Sequence, residues 1–276
     1  MEKISVIMSV YNETETQLNK SILSIINQTF SNFEFIIILD NPNNIIAKNT
    51  ILSFLKNDNR IIFFENEENK WLPFSLNIAI NKSNWKYLAR MDADDYSEPS
   101  RLEKQFFYLE NNKKIDLLFT WWTEIDEKWH KFLRIPKEKW FINIKKYFFI
   151  KSMILHPTMM CKSKILKNNK YPITERPEDF ILFLGLIKKW YKFWVLEDNL
   201  FLYTVQKYNL KLKFKKINIY SKNFLPVLLK SKYYYLNIYF WYFVIRVFIE
   251  YIFSRNYFIF KLFYIKLFKL VKKISI

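Results

Sequence analysis

The chain has 276 residues, 51% of them apolar and 20% aromatic, enough to bury a sizeable core, and a formal charge of +18. Its single cysteine, Cys161, excludes a disulfide framework and fits a reducing compartment. The opening EKISVIMSVYNE lacks a basic region followed by an apolar run and a cleavage site, so the catalytic face is expected in the cytosol.

ISVIMSVY (4–11) and FEFIIILD (33–40) are near-continuous apolar runs, the pattern of parallel strands covered on both faces. Between them, TETQLNKSILSIINQ sets Leu18, Ile22, Ile25 and Ile26 at helical spacing. RIIFFE (60–65) and YLARMD (87–92) repeat the strand signal, with helical segments around 44–57 and 72–82. Alternating strand and helix predicts right-handed crossovers in an open α/β sheet. Ligands of such sheets collect at the carboxyl ends of the strands. Tyr11, Asp40 and the Asp92–Asp95 cluster all fall at such ends.

From about residue 111 the pattern loosens. LHPTMMCKSKIL (155–166) precedes ITERPEDFILFLGLIKKWYKF (173–193), in which Pro177 suits the first turn of a helix and Glu178 and Asp179 its positive end. Residues 201–276 hold 15 Lys+Arg against one acid, Glu250, whereas residues 1–110 hold 11 against 15. Acidic cluster and basic excess therefore face different partners. YYYLNIYFWYFVIRVFIEYIF (233–253) is long enough to span a bilayer, yet Arg246 and Glu250 stand near its middle. KLFYIKLFKLVKKI (261–274) interleaves lysines with Leu, Phe and Val. That reads as an amphipathic basic helix on an anionic membrane surface, in preference to a solvated face or a nucleic-acid patch.

YLARMDADDYSEP (87–99) places three carboxylates within four positions behind an apolar run. Two aspartates separated by one residue at a strand end form a compact hard-oxygen site. It suits Mg2+ or Mn2+, whose shell is completed by water and substrate phosphates. Taken alone the motif is weak, and a solvated acidic turn is its commoner meaning.

The ordered set KISVIMSVYNE, SILSIINQTFSNFEFIIILD, YLARMDADDYSEPSRLEKQ, HPTMM and PEDF resembles the family 2 glycosyltransferases from about residue 3 to 205. These are inverting enzymes of bacterial surface-polysaccharide assembly with the GT-A fold, an open, mainly parallel α/β sheet. The resemblance implies a GT-A domain over 1–205 and a basic, aromatic membrane-associating region over 206–276. It implies that Ser9 and Tyr11 cradle the nucleotide and that Asp40 contacts its base, usually uracil. Asp92 and Asp94 match the metal-binding pair, Asp94 as direct ligand and Asp92 nearer the ribose, with Asp95 assisting. Asp179, next to Glu178, matches the general base that deprotonates the acceptor hydroxyl, and His156 a histidine near the acceptor and diphosphate. The implied reaction moves a sugar from a nucleotide-sugar, favouring UDP, to a glycan or lipid-linked acceptor, with Mn2+ or Mg2+. No Q-x-x-R-W follows PEDF, which implies a non-processive enzyme. The expected location is peripheral, on the inner face of the cell membrane.

Departures are specific. The family's D-D-G-S after the second strand is Leu39-Asp40-Asn41-Pro42 here, and the Asp, Trp and Arg that often follow PEDF are Ile181, Phe183 and Gly185. The missing arginine is the best support for the rival reading, a catalytically silent nucleotide-sugar-binding or glycosyltransferase-partner protein. A nucleotidyltransferase is disfavoured because SVYNETETQ is not a glycine-rich phosphate loop, and a nucleic-acid role because the basic charge avoids the acidic site.

Composition adds an oddity: one glycine against nine tryptophans. Trp71, Trp85, Trp129, Trp190 and one of Trp121 and Trp122 stand where the family expects glycine. An AT-rich genome suppresses glycine codons but suppresses the tryptophan codon too. The hypothesis that fits both is that UGA encodes glycine in the source organism and is rendered here as tryptophan. A turn with positive φ tolerates glycine and disfavours tryptophan.

Overall fold

The computed structural model describes residues 3–126, 130–132, 154–173 and 178–205. The chain divides into two compact units, and every described residue belongs to the first, which spans Met1–Phe141, Ile154–Ile173 and Glu178–Lys207. The basic region 206–276, Pro177 and Trp129 lie outside the described residues.

Strand β1 (Ile4–Val10) is central and pairs in parallel with β2 (Phe33–Leu39) on one side and β4 (Tyr87–Asp92) on the other. β3 (Ile61–Glu65) extends the parallel set beyond β2. Every residue of β2 is buried and β1 is buried except at Ser9, as strands covered on both faces must be. The sheet continues from β4 through β8 (Met160–Lys162), β6 (Leu117–Ile125) and β9 (Phe193–Thr204) to the short β5 (Tyr96–Ser97), with β7 (Lys131–Phe132) on β6. β6 runs parallel to β9 and antiparallel to β7 and β8, and the β4–β8 and β5–β9 pairs are also antiparallel.

Helix α1 (Glu15–Ile26) opens with a capping box. The Thr14 hydroxyl accepts from the Gln17 N–H at 3.3 Å, and Gln17 Oε1 accepts from the Thr14 N–H at 3.0 Å. Its inner face mixes Leu18, Ile22 and Ile25 with Ser21 and Ser24. α2 (Ile45–Leu55) is capped by Asn44, whose side chain accepts from the Ala47 N–H. α3 (Leu72–Lys82), α4 (Arg101–Asn111), α5 (Ser163–Asn168) and α6 (Glu178–Lys188) complete the described helices. Among the described residues no helix is long and apolar enough to cross a membrane.

Only two described non-glycine residues have positive φ, Trp71 at 72° and Trp190 at 65°. Both are among the tryptophans expected at glycine positions, and both side chains are exposed. Trp71, with ψ 152°, occupies a region essentially reserved for glycine. At Trp121 the β6–β9 register shifts, and beside it the Trp122 indole N–H is buried without a partner. Trp85 differs: its φ is not positive, and Lys3 lies over its ring at 4.2 Å.

Candidate active site

Parallel register aligns the strand ends at which the candidate residues stand. Ser9, near the end of β1, stands beside Asp92, the last residue of β4. Tyr11 follows β1 and is 42% exposed, its N–H donating to the Glu13 carboxylate at 2.7 Å and its carbonyl accepting from Asn44 Nδ2 at 3.0 Å. Asp40, after β2, is buried, and its Oδ1 accepts from Asn66 Nδ2 at 2.7 Å and from the Lys70 N–H at 2.8 Å. It therefore anchors the turn that leads through Trp71 into α3.

The acidic loop 92–98 is held from three sides. Ser21 of α1 donates to the Asp92 carbonyl at 2.8 Å, Ser24 accepts from the Ser97 N–H at 3.1 Å, and Gln28 donates to the Glu98 carbonyl at 2.8 Å. The polar residues on the buried face of α1 thus satisfy loop backbone that would otherwise be desolvated. From below, Arg90 reaches Asp92 as an ion pair on the same face of β4, two residues apart. Arg101 on α4 is fully buried and donates to the Arg90 carbonyl at 2.7 Å. On the remaining side, Thr204 of β9 binds both Asp94 and Asp95.

One oxygen from each of Asp92, Asp94 and Asp95 lies within 4.8 Å of the others. Burial first, then the charges of Asp92 and Glu13, push Asp94 up to about 7. Burial first, then the charges of Asp92 and Asp94, push Asp95 well up. Burial alone would lower Arg90, but Asp92, Tyr171 and Asp95 hold it above its usual value. Asp95 Oδ2 is buried without a partner. An orphaned carboxylate oxygen in a hard-oxygen cluster with repelling charges is what a divalent cation would relieve, so these residues fit one.

Asp179 lies in the first turn of α6 and its own Phe180 N–H donates to it at 2.7 Å. The charges of Asp92 and Arg90 both reach it, so Asp179 and the acidic loop share one electrostatic neighbourhood. A first-turn position favours ionisation, but burial outweighs it together with Phe180 and Arg90, and the pKa is raised. Glu178 beside it is buried. His156 sits in a 3-10 turn (His156–Thr158), buried, with Nε2 at 2.6 Å from the Tyr171 hydroxyl and its ring edge-on to Phe183 of α6. Burial, then Arg90, lowers its pKa well below the usual value and keeps the ring neutral. It packs beneath α6, where it supports the helix that bears Asp179.

Sequence reasoning passed over Glu13, Arg90, Tyr203 and Thr204. Arg90 had a signal, an arginine in an apolar strand two residues before Asp92. Glu13, two residues past Tyr11, had a weaker one: burial raises its pKa, and so does the charge of Asp92. Tyr203, whose phenol is held protonated by burial and by Asp95, Asp92 and Asp94, had none.

A mixed, mainly parallel sheet with carboxylates gathered at the carboxyl ends of its strands is the architecture of the GT-A fold. Residues 5–168 match the model for Glycosyl transferase family 2, and the chain belongs to that family. It is 45% identical over 242 residues to an uncharacterised glycosyltransferase of Methanocaldococcus jannaschii, covering 86% of this chain and 83% of that one. Identity with an O-antigen biosynthesis glycosyltransferase of Escherichia coli is 34% over 192 residues, 68% of this chain and 73% of that one. Two solved structures share the fold. S. aureus TarS in complex with UDP-GlcNAc superposes with a TM-score of 0.61 at 16% identity, over 91% of this chain and 72% of that one. A longer TarS chain is covered to 44%. The Pyrobaculum calidifontis mannosyltransferase with GDP-Man and Mn2+ gives 0.62 at 13% identity, over 84% and 69%.

Proposed function

We propose that this glycosyltransferase moves one sugar per encounter, with inversion, from a nucleotide-sugar to a hydroxyl of a surface-glycan or lipid-linked acceptor. The observation that carries the reading is the pairing of the Asp92–Asp94–Asp95 cluster with Asp179 in a common electrostatic neighbourhood. Ser9, Tyr11 and Asp40 line the donor side, and Asp40, already fixed by Asn66 and Lys70, presents a rigid edge to the base. The resemblance at Asp40 favours UDP. Asp94, with Asp92 and Asp95 about it, would hold Mn2+ or Mg2+, which when bound offsets negative charge on a departing diphosphate. Asp179 accepts the proton of the acceptor hydroxyl as that oxygen bonds to the anomeric carbon and the bond from that carbon to the diphosphate breaks. His156 and Tyr171 pack behind α6, Glu178 extends the acidic helix start, and Arg90 fixes Asp92.

The E. coli relative's role in O-antigen biosynthesis supports a surface glycan as acceptor. The basic region 206–276 would keep the enzyme on an anionic membrane surface at the cytoplasmic leaflet, where a lipid-linked acceptor is found. The rival, a silent family member, draws on Gly185 standing where the family often has arginine; a Cβ there meets nothing within 4 Å. Arg90 offers a charge to Asp179 from strand β4, which favours the active reading.

A donor panel assayed with Mn2+ tests this. One nucleotide-sugar should be turned over, and Asp179→Asn should lower transfer by about 10²–10⁴-fold, the usual contribution of a general base. Transfer by Asp179→Asn at the unaltered rate would remove the base, and no turnover of any donor would favour the silent reading.

A further inference from the structure

We propose that Thr204 is a positioning residue that sets the carboxylate geometry of the acidic loop for a divalent cation; the inference rests on the cation site of the preceding reading. Thr204 is the last residue of β9, and it spans to the loop by two bonds. Its N–H donates to Asp95 Oδ1 at 2.8 Å, and its Oγ1 donates to the Asp94 carbonyl at 2.6 Å.

The first bond makes the two oxygens of Asp95 unequal. Oδ1 is engaged by Thr204, while Oδ2 is left buried without a partner. Asp95 is 2% exposed, so water does not offer Oδ2 an easy alternative. Turning the carboxylate over would exchange the oxygens but keep one unsatisfied, so the loop as folded holds an acceptor in reserve for a ligand. The second bond fixes the peptide between Asp94 and Asp95 and therefore the spacing of their side chains. Strand pairing alone does not do this, because β5 contributes only the pairs Tyr96–Leu202 and Ser97–Phe201. Thr204 carries the pairing past the strand end by a side-chain bond. Asp92 is held independently, through Ser21 on its carbonyl and Arg90 on its carboxylate. Thr204 thus governs the half of the cluster that neither Ser21 nor Arg90 reaches by these contacts.

Mn2+ titration of the full chain without donor, followed by the electron paramagnetic resonance of free Mn2+, tests the proposal on four proteins. Thr204→Val keeps the β-branched shape and the backbone N–H but loses the hydroxyl; Thr204→Ser restores it; Asp94→Asn removes a proposed ligand. The Val variant should bind Mn2+ about five- to tenfold more weakly than wild type, the effect of one hydrogen bond. The Ser variant should lie within about twofold of wild type, and Asp94→Asn should bind least. Thermal unfolding without Mn2+ is measured alongside. A Val variant that loses stability yet keeps the wild-type dissociation constant would overturn the role, as would a Ser variant as weak as Val. If Asp94→Asn behaves as expected in either case, the cation site stands and Thr204 alone is dismissed. Wild-type protein that does not bind Mn2+, or Asp94→Asn binding as wild type, removes the site and this inference together.

Discussion

Trp71 offers the sharpest perturbation of the backbone. With φ 72° and ψ 152° it holds a conformation whose cost for a residue with a Cβ is about 1–3 kcal/mol. Comparison of Trp71→Gly with Trp71→Ala isolates that cost, because both substitutions remove the same indole. In an ordinary helix or strand alanine exceeds glycine by about 0.5–1 kcal/mol, since glycine loses more chain entropy on folding. At residue 71 the strain relieved should exceed this, leaving glycine ahead by roughly 0.5–2 kcal/mol. In a thermal melt that is a midpoint higher by about 1–8 °C for a domain of this size. Trp190, at φ 65°, should show the same inverted order, whereas Trp85, which lacks positive φ, should show the normal one. Alanine equal to or above glycine at residue 71 would refute the argument. Codons at these positions give an independent check: UGA is expected at Trp71 and Trp190, and TGG there would end the glycine hypothesis.

Further expectations concern charge and hydrogen bonding. Because burial raises Asp179 above its ordinary value and only its ionised form accepts a proton, kcat should fall as pH drops through that raised pKa. A pH–rate profile should place this acid limb above the usual carboxylate value of about 4, and Asp179→Asn should abolish it; a limb persisting unchanged in that variant would contradict the assignment. Arg90→Met breaks an ion pair whose arginine side chain is 2% and whose aspartate is 28% exposed. Since Asp92 keeps some water, the cost should fall at the low end of the range for such pairs, about 3 kcal/mol, or some 6–12 °C in midpoint; a midpoint within 2 °C of wild type would disagree. Asp40→Ala leaves the Lys70 N–H and one N–H of the Asn66 amide, whose other bond goes to Ser75 Oγ, without an acceptor and should destabilise by about 2–4 kcal/mol in denaturant titration. Asp40→Asn retains an acceptor oxygen and should cost less than half of that. Equal losses would show that the two donors do not depend on this oxygen.

The first 92 residues were legible because strand and helix there announce themselves by different periods. ISVIMSVY and FEFIIILD have no polar alternation and become β1 and β2, buried on both faces, while Leu18, Ile22 and Ile25 recur at helical spacing and face inward on α1. Beyond residue 111 the strands are short, bulged or edge elements. β7 and β8 have two and three residues, and β6 changes register at Trp121, so no window carries a clean period. The site divided along the same line. Asp92, Asp94 and Asp95 were visible as neighbours in sequence, and Asp179 through the motif order. Thr204 and Tyr203 reach the cluster only through β5–β9 pairing across more than a hundred residues, which no local pattern encodes. Ser21, Ser24 and Gln28 carry no signal in the helical spacing of α1, because the loop backbone they bind lies some seventy residues further along the chain. The tryptophans at Trp71 and Trp190 went the other way: composition raised the question, and backbone geometry supplied a physical reason for it.

The central claim is that one site holds a cation on the acidic loop and sets Asp179 against it. Anomalous diffraction at the manganese edge, from crystals soaked with UDP and Mn2+, tests it most directly. The account predicts a single strong peak within bonding distance of Asp94, with Asp95 Oδ2 turned to it and the diphosphate lying between that peak and Asp179. A peak bound by other side chains, or a diphosphate on the far side of the sheet from Asp179, would contradict it.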